Sequence, residues 1–372
     1  MDYLKTFKKY QKKINPASFK FVPIRKKYEY FIIIPAFSEK DYIKKTLKSI
    51  SNQNQLILNK LLVIVVINNL ENDNQKVIEN NLATYKMLNK LKFNFELIIF
   101  DCFSKNNAFK KNNGGVGLAR KIGMDFCLRF SKINSLFFSL DADTIIHKNY
   151  LDIIIEKYKK HNFCSAVVNF KHRTSSDIDL NIKIKKYENL LKRIANNINN
   201  TGSPYGYVSM GSTIVCTSEA YLAIGGMYPH KATEDFYFLQ SLAKYNKVYQ
   251  IKNQLVFPSS RAEQRVYLGT GFRMLSDNNS FNDLVFKEEG YKSLKFIYDV
   301  MQDFWEENEK LICNKFKLYD EKIFNFMIEH NFINTINKIK LNTKNKSQFL
   351  KQFHNWFDSL KIYKFLKLYV KN

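Results

Sequence analysis

Over its first half the chain alternates continuous apolar runs with segments of helical spacing. Phe31-Ile32-Ile33-Ile34 reads as a buried strand stopped by Pro35. Ser38, Glu39 and Asp41 then predict a helix start, followed by Ile43, Leu47 and Ile50 at helical spacing. Leu61 to Ile67 predicts a second strand ending in Asn68-Asn69, residues 73–90 a polar helix, and Phe95 to Phe100 a third strand ending at Asp101. After Gly114-Gly115 a helix carries Leu118, Ile122 and Phe126 on one face, and a fourth strand over 135–140 ends in Asp141-Ala142-Asp143. This repetition predicts an α/β domain with a mainly parallel sheet. The carboxyl ends of such strands line one crevice, so Pro35-Ala36-Phe37, Asn68-Asn69, Asp101 and Asp141-Ala142-Asp143 converge there. Each loop alone is ordinary turn chemistry; together they suit a nucleotide-sized ligand.

Residues 1–27 are basic and weakly patterned and read as an arm, with the α/β domain over 28–275. From about 276 glycine and proline nearly vanish, and 292–305, 321–340 and 347–371 look helical. In the last segment Phe349, Phe353, Trp356, Phe357, Leu360 and Tyr363 fall at helical spacing near Lys361, Lys364, Lys367 and Lys371. Such a helix either lies on an anionic membrane or packs on the body with a solvated lysine face. The region 276–372 is therefore expected to be a C-terminal α-helical extension.

Composition narrows the partners. A chain of 372 residues with 45% hydrophobic positions is globular, and 59 basic against 34 acidic residues give +25. That field favours phosphorylated metabolites, anionic lipid or nucleic acid. No aromatic strand of the RNA-binding type accompanies it, so no specific nucleic acid is expected. Cys102, Cys127, Cys164, Cys216 and Cys313 are scattered and form no CxxC, which suits reduced thiols in a cytoplasmic protein. The amino terminus has no signal-peptide core, and no run reaches the ~18–20 apolar residues of a membrane span.

Two carboxylates at the end of an apolar strand are costly unless paired or bound to metal. Their oxygens suit a hard divalent cation shared with substrate phosphates. Leu140-Asp141-Ala142-Asp143-Thr144 also fits the D-x-D-x-T of haloacid-dehalogenase-type phosphohydrolases. That motif normally ends the first strand of its core, whereas three strand–helix units precede it here.

Four segments in order resemble the family 2 glycosyltransferases of GT-A fold: Phe31-Ile32-Ile33-Ile34-Pro35-Ala36-Phe37-Ser38-Glu39, Gly115-Val116-Gly117-Leu118-Ala119-Arg120-Lys121-Ile122-Gly123, Asp141-Ala142-Asp143, and Gly225-Gly226-Met227 followed by Thr233-Glu234-Asp235. The resemblance spans roughly 28–275 and implies a mixed sheet flanked by helices, a nucleotide-sugar donor, Mn²⁺ or Mg²⁺, and inversion at the anomeric carbon. It implies Asp235 as catalytic base, with Glu234 orienting it. Asp143 would hold the metal, with Asp141 beside it and His230 as a third ligand. Pro35, Ala36, Phe37, Glu39, Asn68, Asp101, Gly117, Arg120, Asp141 and Ala142 would bind the donor, and Arg261 and Arg265 would neutralise its diphosphate in a loop hinged by Gly269 and Gly271. Tyr205 and Tyr207 are candidates for stacking on a sugar ring or for the core. Asn68-Asn69 stands where many members have an Asp pair, and the Gln-x-x-Arg-Trp of processive synthases is absent. UDP is the commonest donor nucleotide in such folds. A glycan or lipid-linked acceptor fits the basic charge, as does peripheral contact with the cytoplasmic face of an inner membrane during cell-envelope polysaccharide synthesis.

Overall fold

The computed structural model describes residues 2–12, 14, 27–112, 114–230, 233–263, 270–275, 281–305 and 309–370. The chain packs as two units, Met1–Asn181 with Ser209–Phe272, and Ile182–Val208 with Arg273–Asn372.

The first unit is built on an eight-stranded sheet: β1 (Tyr28–Ala36), β2 (Leu61–Asn68), β3 (Glu96–Cys102), β4 (Ser131–Ser139), β5 (Ile145–Ile146), β6 (Ser165–Phe170), β7 (Ile214–Thr217) and β8 (Tyr249–Phe257). Its order is β3-β2-β1-β4-β7-β6-β8-β5. β1 to β4 are mutually parallel, β7 is antiparallel to β4 and to β6, and β6 is parallel to β8. Two reversals restore direction, so β6 and β8 point the same way as β1–β4. The carboxyl ends of six strands therefore share one rim.

β1 and β2 are central and covered on both faces, which is why they read as unbroken apolar runs; Phe31 to Ile34 and Leu62 to Ile67 are fully buried. The helix Val116–Cys127 lies close over them, since a Cβ on Gly123 would stand 2.6 Å from Ile33 Cγ2.

Three expectations are corrected here. Pro35 does not stop β1: it pairs with Val66 inside the strand, beyond Ser139, the last β4 residue paired with β1. With no ladder partner on that side, its missing N–H costs nothing. The helix expected from Ser38 begins only at Ile43, because Ser38 adopts a left-handed φ of 57° and residues 37–42 form a turn. The amino-terminal arm contains a nine-residue helix, Tyr3–Gln11, capped by Asp2 and burying Tyr10.

The second unit is helical: Glu288–Asp303, Glu309–Tyr319, Glu321–Glu329, Phe332–Leu341, Lys346–Trp356 and Ser359–Leu366. Two segments expected as single helices are divided, 321–340 at left-handed Asn331 and 347–371 at Asp358, whose side chain caps the next helix as Asp320 and Asn345 cap theirs. Phe349, Phe353 and Phe357 are fully buried with Phe304, Phe332 and Phe365. The phenylalanines of the stripe are thus core rather than membrane-facing, while Trp356 is half-buried and Leu360 is exposed beside the lysines. The segment from Ile182, placed by sequence in the α/β domain, packs with this unit: Tyr187 stacks on Phe281 at 5.1 Å. Tyr205 and Tyr207 are buried in it too, Tyr205 donating to the His354 carbonyl at 2.9 Å, so neither offers a face to a sugar. Among the described residues no helix is long and apolar enough to cross a membrane.

Candidate active site

Register sets the rim. Ala36 lies opposite Ile67, and Ile67 opposite Asp101, so β1 to β3 finish level. β4 leaves the ladder at Ser139, opposite Ile33, and the Leu140 N–H donates to the Ile33 carbonyl at 3.1 Å. The chain then turns, with Thr144 N–H on the Asp141 carbonyl at 3.1 Å and Thr46 Oγ1 donating to the Ala142 carbonyl at 2.7 Å. The loop backbone is thereby fixed, and its two carboxylates reach different partners.

Asp141 pairs with Arg120 Nη2. The same buried guanidinium bonds Ser139 Oγ through Nη1, the Gly211 carbonyl at 3.3 Å, and Glu234 Oε1 through Nε at 3.3 Å. A Cβ at Gly211 would stand 2.3 Å from Nη2, so the absence of a side chain there admits the arginine. Arg120, which the resemblance offers to the donor, ties the end of β4 to the helix Glu234–Tyr245, and the paired charges hold its own pKa above the usual value against the opposing effect of burial.

Glu234 and Asp235 open that helix, as acids at an N-terminus should. Their N-cap, Thr233, is left-handed at φ 63°, uncommon for a β-branched residue. His230 and Glu234 lie directly on the helix Val116–Cys127: a Cβ on Gly117 would meet the His230 carbonyl at 2.3 Å and Glu234 Cβ at 3.0 Å. Burial, then the Asp235 charge, push the Glu234 carboxyl up to about 7, with Arg120 pulling it back. Burial also raises Asp235, opposed by Arg120 and by the Phe236 N–H that donates to Asp235 Oδ1 at 2.8 Å.

Asp143 meets Arg261, whose Nε lies 3.0 Å from Oδ2. Arg261 also reaches Glu39 Oε1 at 2.5 Å and Glu263 Oε2 at 3.6 Å, and its guanidinium carbon sits 4.2 Å from the Tyr42 ring centroid. Arg261 thus joins the ends of β1, β4 and β8. Arg265 and Gly269 lie outside the described residues; Gly271 approaches the Glu263 carbonyl, which a Cβ would meet at 2.7 Å.

Asp101 is spent on its own turn. It accepts from Phe103 and Ser104 N–H, Ser104 Oγ and Asn107 Nδ2 at 2.7–3.1 Å; burial is the largest single influence and raises its pKa, but these bonds together outweigh it and lower the pKa below the usual value. Asn68 is buried, and its Oδ1 has no hydrogen-bond partner. Ala36 and the Ala142 methyl are buried, while Pro35 continues β1 and Phe37 is half-buried at the rim. The His230 ring lies 4.7 Å from Tyr228 and 4.5 Å from Tyr237, and among the described residues no group of three His, Cys, Asp or Glu side chains is gathered for a metal.

Two rim residues escaped the sequence reading. Arg173, just past β6, donates to the Asp143 carbonyl at 2.8 Å. Asn81, buried in the helix Gln75–Lys90, accepts from Ser38 N–H at 2.9 Å and donates to the Asn68 carbonyl and Asn69 Oδ1 at 3.1 and 2.9 Å. Its signal was a polar residue on the face of Thr84 and Leu88.

Residues 31–212 match the family described as Glycosyl transferase family 2. No curated protein sequence matches the chain. Among solved structures it is similar to S. aureus TarS 1–349 in complex with UDP-GlcNAc, at 13% identity over 91% of this chain and 89% of that one, with a TM-score of 0.44. It is also similar to the mannosyltransferase PcManGT from Pyrobaculum calidifontis in complex with GDP-Man and Mn²⁺, at 10% identity over 95% of each chain, TM-score 0.42. The mixed sheet flanked by helices, with its C-terminal helical region, is the GT-A architecture expected of that family.

Proposed function

With a family 2 glycosyltransferase domain over residues 31–212 as premise, we propose that the chain moves a sugar from a nucleotide diphosphate to a hydroxyl of a glycan or lipid-linked acceptor, with inversion. The observation that carries this reading is the joining of two carboxylate pairs, Asp141/Asp143 and Glu234/Asp235, on one rim through Arg120.

The donor set suits a divalent cation: Asp141 and Asp143 offer only oxygens, a hard cation takes one or two protein carboxylates with the rest from phosphates, and Asp141 is partly open to solvent. Asp143 and Asp141 would hold Mn²⁺ or Mg²⁺, whose positive charge would stabilise the departing diphosphate. His230, whose ring lies tilted against Tyr228 and Tyr237, would have to leave them to join. Arg261 lies beside Asp143 and carries the cationic charge for the diphosphate. The half-buried Asp235, in the first turn of its helix, would take the proton of the attacking hydroxyl. Glu234, held by Arg120, orients it. Glu39, Asn68 and the loop Pro35-Ala36-Phe37 would frame the base and ribose.

Purified protein assayed against a panel of nucleotide sugars, with and without Mn²⁺, tests the reading: metal-dependent release of free nucleotide supports it. Release of inorganic phosphate alone would return the phosphohydrolase. Asp143→Ala should abolish metal-dependent donor binding. Asp235→Asn should keep donor binding and stop transfer; losing both would remove the base assignment.

A further inference from the structure

The helix Tyr3–Gln11 reaches into the same unit as the site. Tyr10 is buried, and its hydroxyl donates to Asp125 Oδ1 at 2.7 Å. The Tyr221 hydroxyl donates to the same oxygen at 2.6 Å, and Lys121 Nζ lies 2.8 Å from both the Tyr10 hydroxyl and Asp125 Oδ2. Asp125 has no solvent exposure, so this network satisfies a carboxylate that would otherwise be very costly.

The same tyrosine rests on a glycine turn. A Cβ added to Gly226 would stand 1.9 Å from the Tyr10 hydroxyl oxygen and 2.8 Å from the ring carbon bearing it. Gly225 and Gly226 have φ of 80° and 78°, and the Gly226 N–H donates to the Tyr221 carbonyl at 2.8 Å. That turn begins the segment leading through His230 to Glu234 and Asp235. Lys121 follows Arg120 on one helix, so adjacent side chains serve the Tyr10 network and the carboxylates.

We propose that the amino-terminal helix is a positioning element of the active site: Tyr10 seats the Gly225-Gly226 turn, and that turn fixes where the Glu234–Tyr245 helix begins. Its catalytic consequence rests on the roles proposed above for Glu234 and Asp235; the clasp itself does not.

Hydrogen exchange on the full chain separates the two. In Tyr10→Ala the amides of 226–238 should exchange about tenfold faster while β1 to β3 keep their protection; Tyr10→Phe, which keeps the ring, should fall between. The turnover of nucleotide release should drop about tenfold or more with donor KM unchanged, as expected when only placement of the base is lost. Gly226→Ala should cost less in the Tyr10→Ala background than alone, since the clashing hydroxyl is gone. Unchanged exchange over 226–238, uniform loosening of the whole unit, or strictly additive substitutions would overturn the proposal. If Tyr10→Ala does not fold, Tyr10→Phe with and without Gly226→Ala tests the same coupling. If no nucleotide sugar binds, the exchange result still decides the clasp while the transferase reading fails separately.

Discussion

Arg120 and Gly211 are one feature. A guanidinium with 3% side-chain exposure is kept by two carboxylates, a hydroxyl and a carbonyl, all within reach because residue 211 lacks a side chain. Lysine has one compact charge and cannot reproduce the fork. Arg120→Lys should therefore cost about 3–5 kcal/mol, the range for breaking a buried ion pair, read by urea unfolding; a loss under about 0.5 kcal/mol, the scale of ordinary surface changes, would mean the network is not formed. Gly211→Ala should cut transfer by displacing the same guanidinium. The pH response follows from Glu234 and Asp235. A carboxyl whose pKa is raised keeps its proton to higher pH, so the base form grows as pH rises through it. With Glu234 pushed up to about 7 and Asp235 also raised, kcat/KM should climb across the neutral range. Because Arg120 opposes both shifts, Arg120→Gln should move that limb to higher pH. A profile flat from pH 5 to 8 would contradict the pairing.

At the scale of elements, the helix Gln75–Lys90 does more than cover the sheet. Asn81 ties the loop after β1 to the end of β2 through three hydrogen bonds in a buried place. Asn81→Leu should leave those groups unsatisfied and cost about 1–3 kcal/mol, with weaker donor binding because Ser38 and Asn68 lose their shared anchor. Isothermal titration of the nucleotide measures the second effect; unaltered affinity would confine Asn81 to stability. This residue also shows what was legible. Strands were, because Leu61 to Ile67 and Phe31 to Ile34 carry their burial in their own sequence. The rim was too, since strand ends follow from strands. Asn81 and Arg173 were not, because their partners lie on other elements and the one local sign, Asn81 on the face of Thr84 and Leu88, names no partner. Arg120 was found by motif, but its buried network was not legible, since it depends on Gly211, a distant residue with no side chain. The divided C-terminal helices were hidden differently: in an Asn- and Lys-rich chain, the breaks at Asn331 and Asp358 resemble any polar surface position.

At the scale of the whole molecule, the surplus of 59 basic over 34 acidic residues must act at the surface, because the aromatic stripe that might have inserted into lipid is used as core. Lys361 illustrates the division, its amine lying 5.3 Å from the Trp356 ring centroid while Phe353 and Phe357 turn inward. Any attraction to an anionic bilayer should then be electrostatic, about 1 kcal/mol for each lysine near the surface and confined to a Debye length. In co-sedimentation the protein should bind phosphatidylglycerol vesicles at low salt, leave them at about 0.5 M, where screening is short-ranged, and ignore phosphatidylcholine. Fluorescence of Trp305 and Trp356 should not shift to the blue on binding, since insertion would require taking Phe349 and Phe353 out of the packed helices. Binding that survives high salt together with a blue shift would show the helical unit opening on lipid, and would make that unit, rather than the charge, the membrane-recognising part.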